Sequence, residues 1–219
     1  MDASQGEEMR YTFGVTESLA PDEHPPNLRA EQVAQTRLAL TAAGRRLFGR
    51  DGYAGTSVED LAREARVTTG ALYHHFPSKM ALFEAVFEDV HTELLEASAQ
   101  AAAGAPGSIE FLSRALESFL DAVLEPDVQR IVITDAPAVL GLARFTELDE
   151  RYAFAEIVGV IEAAVAQGEL RVDDPETFTR LLFGALTRGG MLIANSDEPR
   201  ATRDAVAKSI RALLGSLAT

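Results

Sequence analysis

The sequence predicts an all-α protein, with an N-terminal three-helix unit followed by a larger C-terminal helical body. Three observations point there. Alanine and leucine dominate a chain that is 47% hydrophobic, and strand-type runs are scarce. Apolar residues recur at helical spacings from the Ala30 region to the C-terminus. Prolines, glycines and capping residues fall between those stretches, where helices start and stop. At 219 residues there is length for one helical domain and a smaller second one.

Residues 1–28 mix acids, prolines and turn residues (PDEHPPN) with no helical period, so a disordered extension is expected, with His24 a solvated loop histidine. The first helix should run from Ala30 to Arg50, burying Leu40, Ala43, Gly44, Leu47 and Phe48 on one face. Gly44 costs about 1 kcal/mol relative to alanine inside a helix, which implies a close neighbour there. Gly52 suits the left-handed residue beyond the helix end, and Tyr53 should pack beneath the helices that follow.

The stretch Thr56–Lys79, TSVEDLAREARVTTGALYHHFPSK, organises the rest. Thr56 or Ser57 can cap a short helix, its oxygen accepting from backbone N–H groups near Glu59 and Asp60. Val58, Leu61, Ala62 and Ala65 then form one apolar stripe. A second helix begins at Thr68 or Thr69 and has about two turns before Pro77. Leu72 and Phe76 must face inward with that stripe. Thr68, Thr69, Gly70, Ala71, Tyr73, His74 and His75 are therefore turned outward. Small residues in front and hydrogen-bonding aromatics behind suit a helix that meets a nucleic-acid groove end-on.

The segment LFGRDGYAGTSVEDLAREARVTTGALYHHFPSKMALFEAV closely resembles the N-terminal domain of the TetR family of transcriptional repressors, over roughly residues 36–90. The resemblance implies a helix-turn-helix over residues 29–79 and a ligand-binding, dimerising body over 80–219. It further implies a homodimer on a palindromic double-stranded DNA operator, released by a small-molecule effector. Tyr73, His75 and Lys79 match positions that hold the phosphate backbone, and contacts of that kind position the protein without reading sequence. Arg37 joins them as a phosphate-contact candidate, and Ser57 is assigned to the DNA-binding set. Thr68, Thr69, Gly70, Ala71 and His74 are the candidates for base edges, where threonine and alanine methyls suit thymine. Lys79 also opens the next helix, where its charge opposes the dipole, and a phosphate partner would account for it. Two residues depart from the family pattern. Arg66 stands where the turn usually has glycine, costing roughly 1 kcal/mol if the backbone is left-handed. Glu59 puts an acid near the expected DNA face.

Lys79 to about Ala103 reads as one long helix with Leu82, Phe83, Val86, Phe87, Val90, Leu94 and Leu95 on a stripe. By resemblance it is the lever between ligand site and DNA-reading unit. The segment AAAGAPGS breaks it. The body should then hold five helices: Ile109–Leu124, Asp127 to about Ala136 with a stop near Pro137, Thr146–Gln167 closed by Gly168, one opened by Asp174-Pro175 and running to about Asn195, and a last one from Pro199. The last buries Val206, Ile210, Leu213, Leu214 and Leu217.

The final two helices are the expected dimer face, as the family pairs them across a two-fold. Leu182, Ala185, Leu186, Gly189, Ile210 and Leu213 are the residues assigned to it, with glycines permitting close approach. For a ligand cavity among the middle helices the candidates are Phe87, His91, Phe119, Asp135, Arg144 and Tyr152. Each aromatic taken singly reads as core before pocket wall. Asp135 before Pro137, and His91 on an otherwise apolar stripe, are the polar residues most in need of a reason.

The formal charge of −14 is not that of a typical DNA-binding protein, so its distribution decides. Residues 29–79 hold eight bases and five acids, a balance of +3, which leaves −17 for the rest. With screening over about 8–10 Å the local balance matters more than distant acid. Absence of cysteine excludes disulfides, thiolate metal sites and thiol nucleophiles. No HExxH, P-loop or Gly-x-Ser-x-Gly occurs, so no catalytic residue, metal ligand or cofactor is assigned and an enzyme is not expected. No apolar run approaches the ~18 residues of a membrane span, and the chain reads as cytoplasmic. The competing reading is a ligand-binding or protein-interaction module whose helix-turn-helix has lost DNA affinity.

Overall fold

The computed structural model describes residues 28–218, the side chains of Arg29, Tyr152 and Ala153 excepted. The reading of residues 1–27, His24 included, lies outside the described residues. Among those described, the chain forms ten α-helices and one π-helical segment: α1 (Leu28–Gly55), α2 (Val58–Glu64), α3 (Thr69–His75), α4 (Lys79–Ala102), α5 (Ser108–Ala122), α6 (Pro126–Val128), the π-segment (Gln129–Asp135), α7 (Ala136–Leu140), α8 (Leu142–Ala166), α9 (Pro175–Ala194) and α10 (Pro199–Ser216).

α1 buries Leu40, Ala43, Leu47 and Phe48 against α4. Gly44 lies there because a Cβ would come within 2.8 Å of Val86 Cγ2. Gly52, at φ 76°, interrupts the helix where a left-handed residue was expected. A last turn to Gly55 then points Tyr53 at Phe48 and Phe83, with ring centroids 5.9 and 5.2 Å away. α4 presents Leu82, Phe83, Val86, Phe87, Val90 and Leu94 to both sides of the molecule. One buried cluster therefore runs from Leu61 and Leu72 through α4 to Leu148 and Ile193.

The helix expected over residues 127–136 and stopped at Pro137 takes a different form. The chain winds through the π-segment, with Ala136 N–H bonding the Ile131 carbonyl five residues back. Pro137 then falls in the first turn of α7, where a missing N–H costs nothing. The widened turn lets the backbone pass the proline without a break. Ile133 of this segment fits over Gly190 of α9, whose Cβ would lie 2.7 Å from Ile133 Cδ1. α8 begins four residues before the expected Thr146, after Gly141 at φ 78°. α9 starts as read, the Asp174 carboxylate accepting from Thr177 N–H at 3.1 Å.

The residues assigned to the dimer face fall into two groups. Leu182, Leu186, Gly189 and Ile210 are buried within the protomer's own core. Gly189 permits the approach of α10 rather than of a second chain: a Cβ there would lie 2.7 Å from Val206 Cγ1. Ala185 is exposed, and so is Leu213, which is 63% exposed instead of buried with the α10 stripe. On α9, Leu181 and Leu192, exposed by 68% and 48%, fall at helical spacing with Ala185. Spacing alone cannot distinguish an apolar face packed inside a protomer from one packed between two.

Candidate functional site

The first candidate surface is the α2–α3 unit. Ser57 caps α2, accepting from Asp60 N–H at 3.1 Å, while its hydroxyl donates to the Asp60 carboxylate. Thr68 caps α3 likewise, accepting from Ala71 N–H at 3.1 Å. The turn between them is a paired cap: Val67 N–H reaches the Ala62 carbonyl at 2.9 Å, and Arg66 N–H reaches that of Arg63 at 3.1 Å. Such a cap needs a left-handed residue at its centre, and Arg66 supplies it at φ 58°. The same cap closes α8 with Gly168 at φ 73°.

Leu72 and Phe76 are buried, anchoring α3 through its inward face. Thr68, Thr69, Gly70, Tyr73 and His74 are exposed on the other, with Ala71 and His75 half-buried at its edges. Gly70 faces open space, its nearest neighbour being the Thr68 hydroxyl at 3.8 Å. These residues form a continuous face of hydroxyls, a phenol and imidazoles on a rigid helix. That chemistry suits phosphate oxygens and base edges.

Two phosphate-side candidates have internal duties. Arg37 is exposed, yet one guanidinium nitrogen donates to the His75 carbonyl at 3.4 Å, and its carbon lies 4.3 Å from the centre of the Phe76 ring. Its remaining donors are free to reach DNA. Lys79 is different. Its ammonium donates to the carbonyls of Tyr53 and Thr56 at 2.8 and 2.9 Å, and sits 4.1 Å over the Tyr53 ring. The unfavourable charge at the start of α4 is thus explained by the carbonyls that close α1. Arg45 ion-pairs with Asp127 and Glu93, and Arg46 with Glu64.

The second candidate is a groove of about 290 Å³ between α8 and α9. Leu142, Phe145, Phe183 and Met191 give it apolar walls, and Asp149, Glu150, Arg180, Thr187 and Arg188 add polar groups. Burial and the adjacent Glu150 push the Asp149 carboxyl up to about 7. Behind it, His91 Nε2 of α4 lies 3.6 Å from Asp149 Oδ1. Burial holds that imidazole down at about 4, against the pull of a hydrogen bond with the Asp149 backbone. Phe87 stacks on His91 at 5.3 Å and meets Phe145 at 5.8 Å.

Of the expected ligand contacts, Phe87 and His91 therefore form the second layer beneath the groove. Arg144 is not in its lining; it joins α8 to α4 through Glu84 and also pairs with Glu147. Phe119 packs against the core on α5, away from the groove. Asp135 accepts from Tyr53 N–H at 2.7 Å and faces Arg130 at 3.6 Å, a link between α1 and the π-segment. The Tyr152 side chain is outside the described residues. Asp149 was missed because one acid among the three of a charged helix segment, ELDER, carries no sign that it is buried. Among the described residues no group of three or more metal-ligating side chains converges, and no helix is long and apolar enough to cross a membrane.

Comparison with known proteins matches both parts of this architecture. Residues 40–86 match the family described as bacterial regulatory proteins, tetR family, and residues 109–217 match the tetracyclin repressor-like C-terminal domain. The HTH-type transcriptional regulator CymR of Pseudomonas putida is 32% identical over 164 residues, 72% of this chain and 79% of its own. A crystal structure of a TetR-family regulator from Pectobacterium atrosepticum superposes with a TM-score of 0.77 at 32% identity, covering 86% of this chain and 97% of that one. RolR in complex with its ligand resorcinol shares the fold at 19% identity and a TM-score of 0.69, covering 85% and 91%. The relatives are regulators rather than enzymes. This chain belongs to the TetR family of transcriptional regulators.

Proposed function

We propose that the protein is a homodimeric repressor that holds a palindromic operator through α3 and releases it when a small molecule occupies the α8–α9 groove. The observation that carries this reading is the α3 surface: Thr68, Thr69, Gly70, Tyr73 and His74 exposed together over buried Leu72 and Phe76. The exposed Leu181, Ala185, Leu192 and Leu213 supply the face for a second copy, which sets two α3 helices on successive turns of DNA. Thr68, Thr69, Ala71 and His74 reach base edges, while Arg37, Tyr73 and His75 hold phosphates. Lys79 and Ser57 act indirectly, by fixing the ends of α1 and α2.

The groove is the effector site in this reading. Phe145 and Asp149 line it, and each touches α4 through Phe87 and His91. α4 begins at Lys79, which grips the end of α1. An effector acts only if it prefers the conformation that mis-spaces the α3 helices. RolR's bound resorcinol supports a small-molecule effector for this fold.

Two double variants test the proposal. Thr69→Ala with Tyr73→Ala should abolish DNA binding and leave the dimer intact. Leu181→Glu with Leu213→Glu should yield a folded monomer that no longer binds. Tight, sequence-selective binding by the first, or an unaltered dimer in the second, counts against it. DNA binding that is weak and indifferent to sequence in the unmodified dimer favours the interaction-module reading.

A further inference from the structure

We infer that the α8–α9 groove selects a small aromatic cation, with its ring between Phe145, Phe183 and Met191 and its protonated nitrogen on the Asp149 carboxylate. The inference rests on the reading of the groove as an effector site and names the chemistry it takes.

The walls require an apolar body, and about 290 Å³ is room for one or two rings. The charges decide the rest. Asp149 is only 21% exposed, so its ionised form is poorly hydrated and gains from a cation placed against it. His91 cannot act as that cation, since burial keeps it neutral. Arg180 lines the same groove, but its guanidinium is shared between Glu150 and Glu176 and lies 4.4 Å over the Phe154 ring. Arg188 competes for an anion from the opposite side. It falls, however, at helical spacing with Leu181, Ala185 and Leu192, on the α9 face assigned above to the second copy. Residues 80–219 hold 23 acids and 11 bases, a balance of −12 and of the same sense.

The experiment is calorimetric titration of the full-length protein, without DNA, with benzylamine, benzyl alcohol and benzoate. Benzylamine should bind about tenfold more tightly than benzyl alcohol, with benzoate weakest. Asp149→Asn should remove the preference for the amine and leave affinity for the alcohol unchanged. Equal affinity for the alcohol, a preference for benzoate, or no binding of any of the three at millimolar concentration overturns the proposal. An unchanged amine preference in the Asp149→Asn variant does so too, and the ranking on the unmodified protein decides even if that variant misfolds. Because DNA is absent, failure here is separable from failure to select an operator.

Discussion

The Asp135 carboxylate accepts the backbone N–H of Tyr53 at 2.7 Å, capping from 82 residues away the helical turn that follows the break at Gly52. The Arg130 guanidinium completes the junction. It faces the same carboxylate at 3.6 Å and occupies the space where a Gly52 side chain would stand. The π-segment thus joins α1 on one side to Gly190 of α9 on the other. Asp135→Ala should cost about 1–3 kcal/mol in chemical denaturation, because Tyr53 N–H loses a buried partner. On operator DNA it should weaken binding by about tenfold with α3 untouched, the size of a mid-range coupling energy. Unchanged stability would show that water replaces the carboxylate without loss.

Lys79 and Arg37 should separate by assay. Lys79→Ala leaves two carbonyls at the end of α1 without their charged donor, and a loss of about 2 kcal/mol is expected in stability. Arg37→Ala removes one long bond at 3.4 Å from an exposed residue, and should move stability by less than about 1 kcal/mol. Its effect should appear on DNA, with the slope of log affinity against log salt reduced by about one. A salt-slope effect for Lys79→Ala with no change in stability would restore it as a phosphate contact.

Arg66 occupies a left-handed position that glycine takes without strain. Arg66→Gly should therefore stabilise the protein by roughly 1 kcal/mol, measured by denaturant midpoint at unchanged slope. Glycine's greater freedom in the unfolded chain offsets part of the gain. If the arginine is retained for DNA, the same variant binds the operator less tightly while being more stable.

The Asp149–His91 contact predicts an unusual pH profile. The Asp149 carboxyl, raised to about 7, holds its proton in the folded state between its ordinary value of 3.8 and 7, so stability falls as pH rises through that window. The His91 imidazole, lowered from 6.5 to about 4, is protonated only in the unfolded state across that range, so its contribution rises with pH. The slopes oppose, each at most about 1.4 kcal/mol per pH unit. Between pH 4 and 6.5 they largely cancel. Asp149→Asn should unmask the histidine, giving a stability that climbs by about 2 kcal/mol relative to the unmodified protein over that range. Parallel profiles contradict the pairing.

What was legible in the sequence follows from what local rules encode. Ser57, Thr68, Asp174 and Gly52 announce helix ends because capping depends on neighbours within four residues. The stripes of α1 and α4 predict burial because a helix has one period. The roles of Lys79, Asp135 and Asp149 depend on partners 23 or more residues away on other helices, which spacing does not record. For Lys79 the sequence posed the right question, a cation at a helix start, and the answer lay at the end of another helix. Proline was read as a stop at residue 137, when widening of the preceding turn lets the chain continue.

The central claim is tested most directly by selecting binders from random-sequence double-stranded DNA with the purified full-length protein at two salt concentrations. The expected product is an inverted repeat whose half-sites are centred about one helical turn apart, or a multiple of it, with affinity that falls as salt rises. Recovery of no preferred sequence by a well-folded dimer, at either salt concentration, would contradict it.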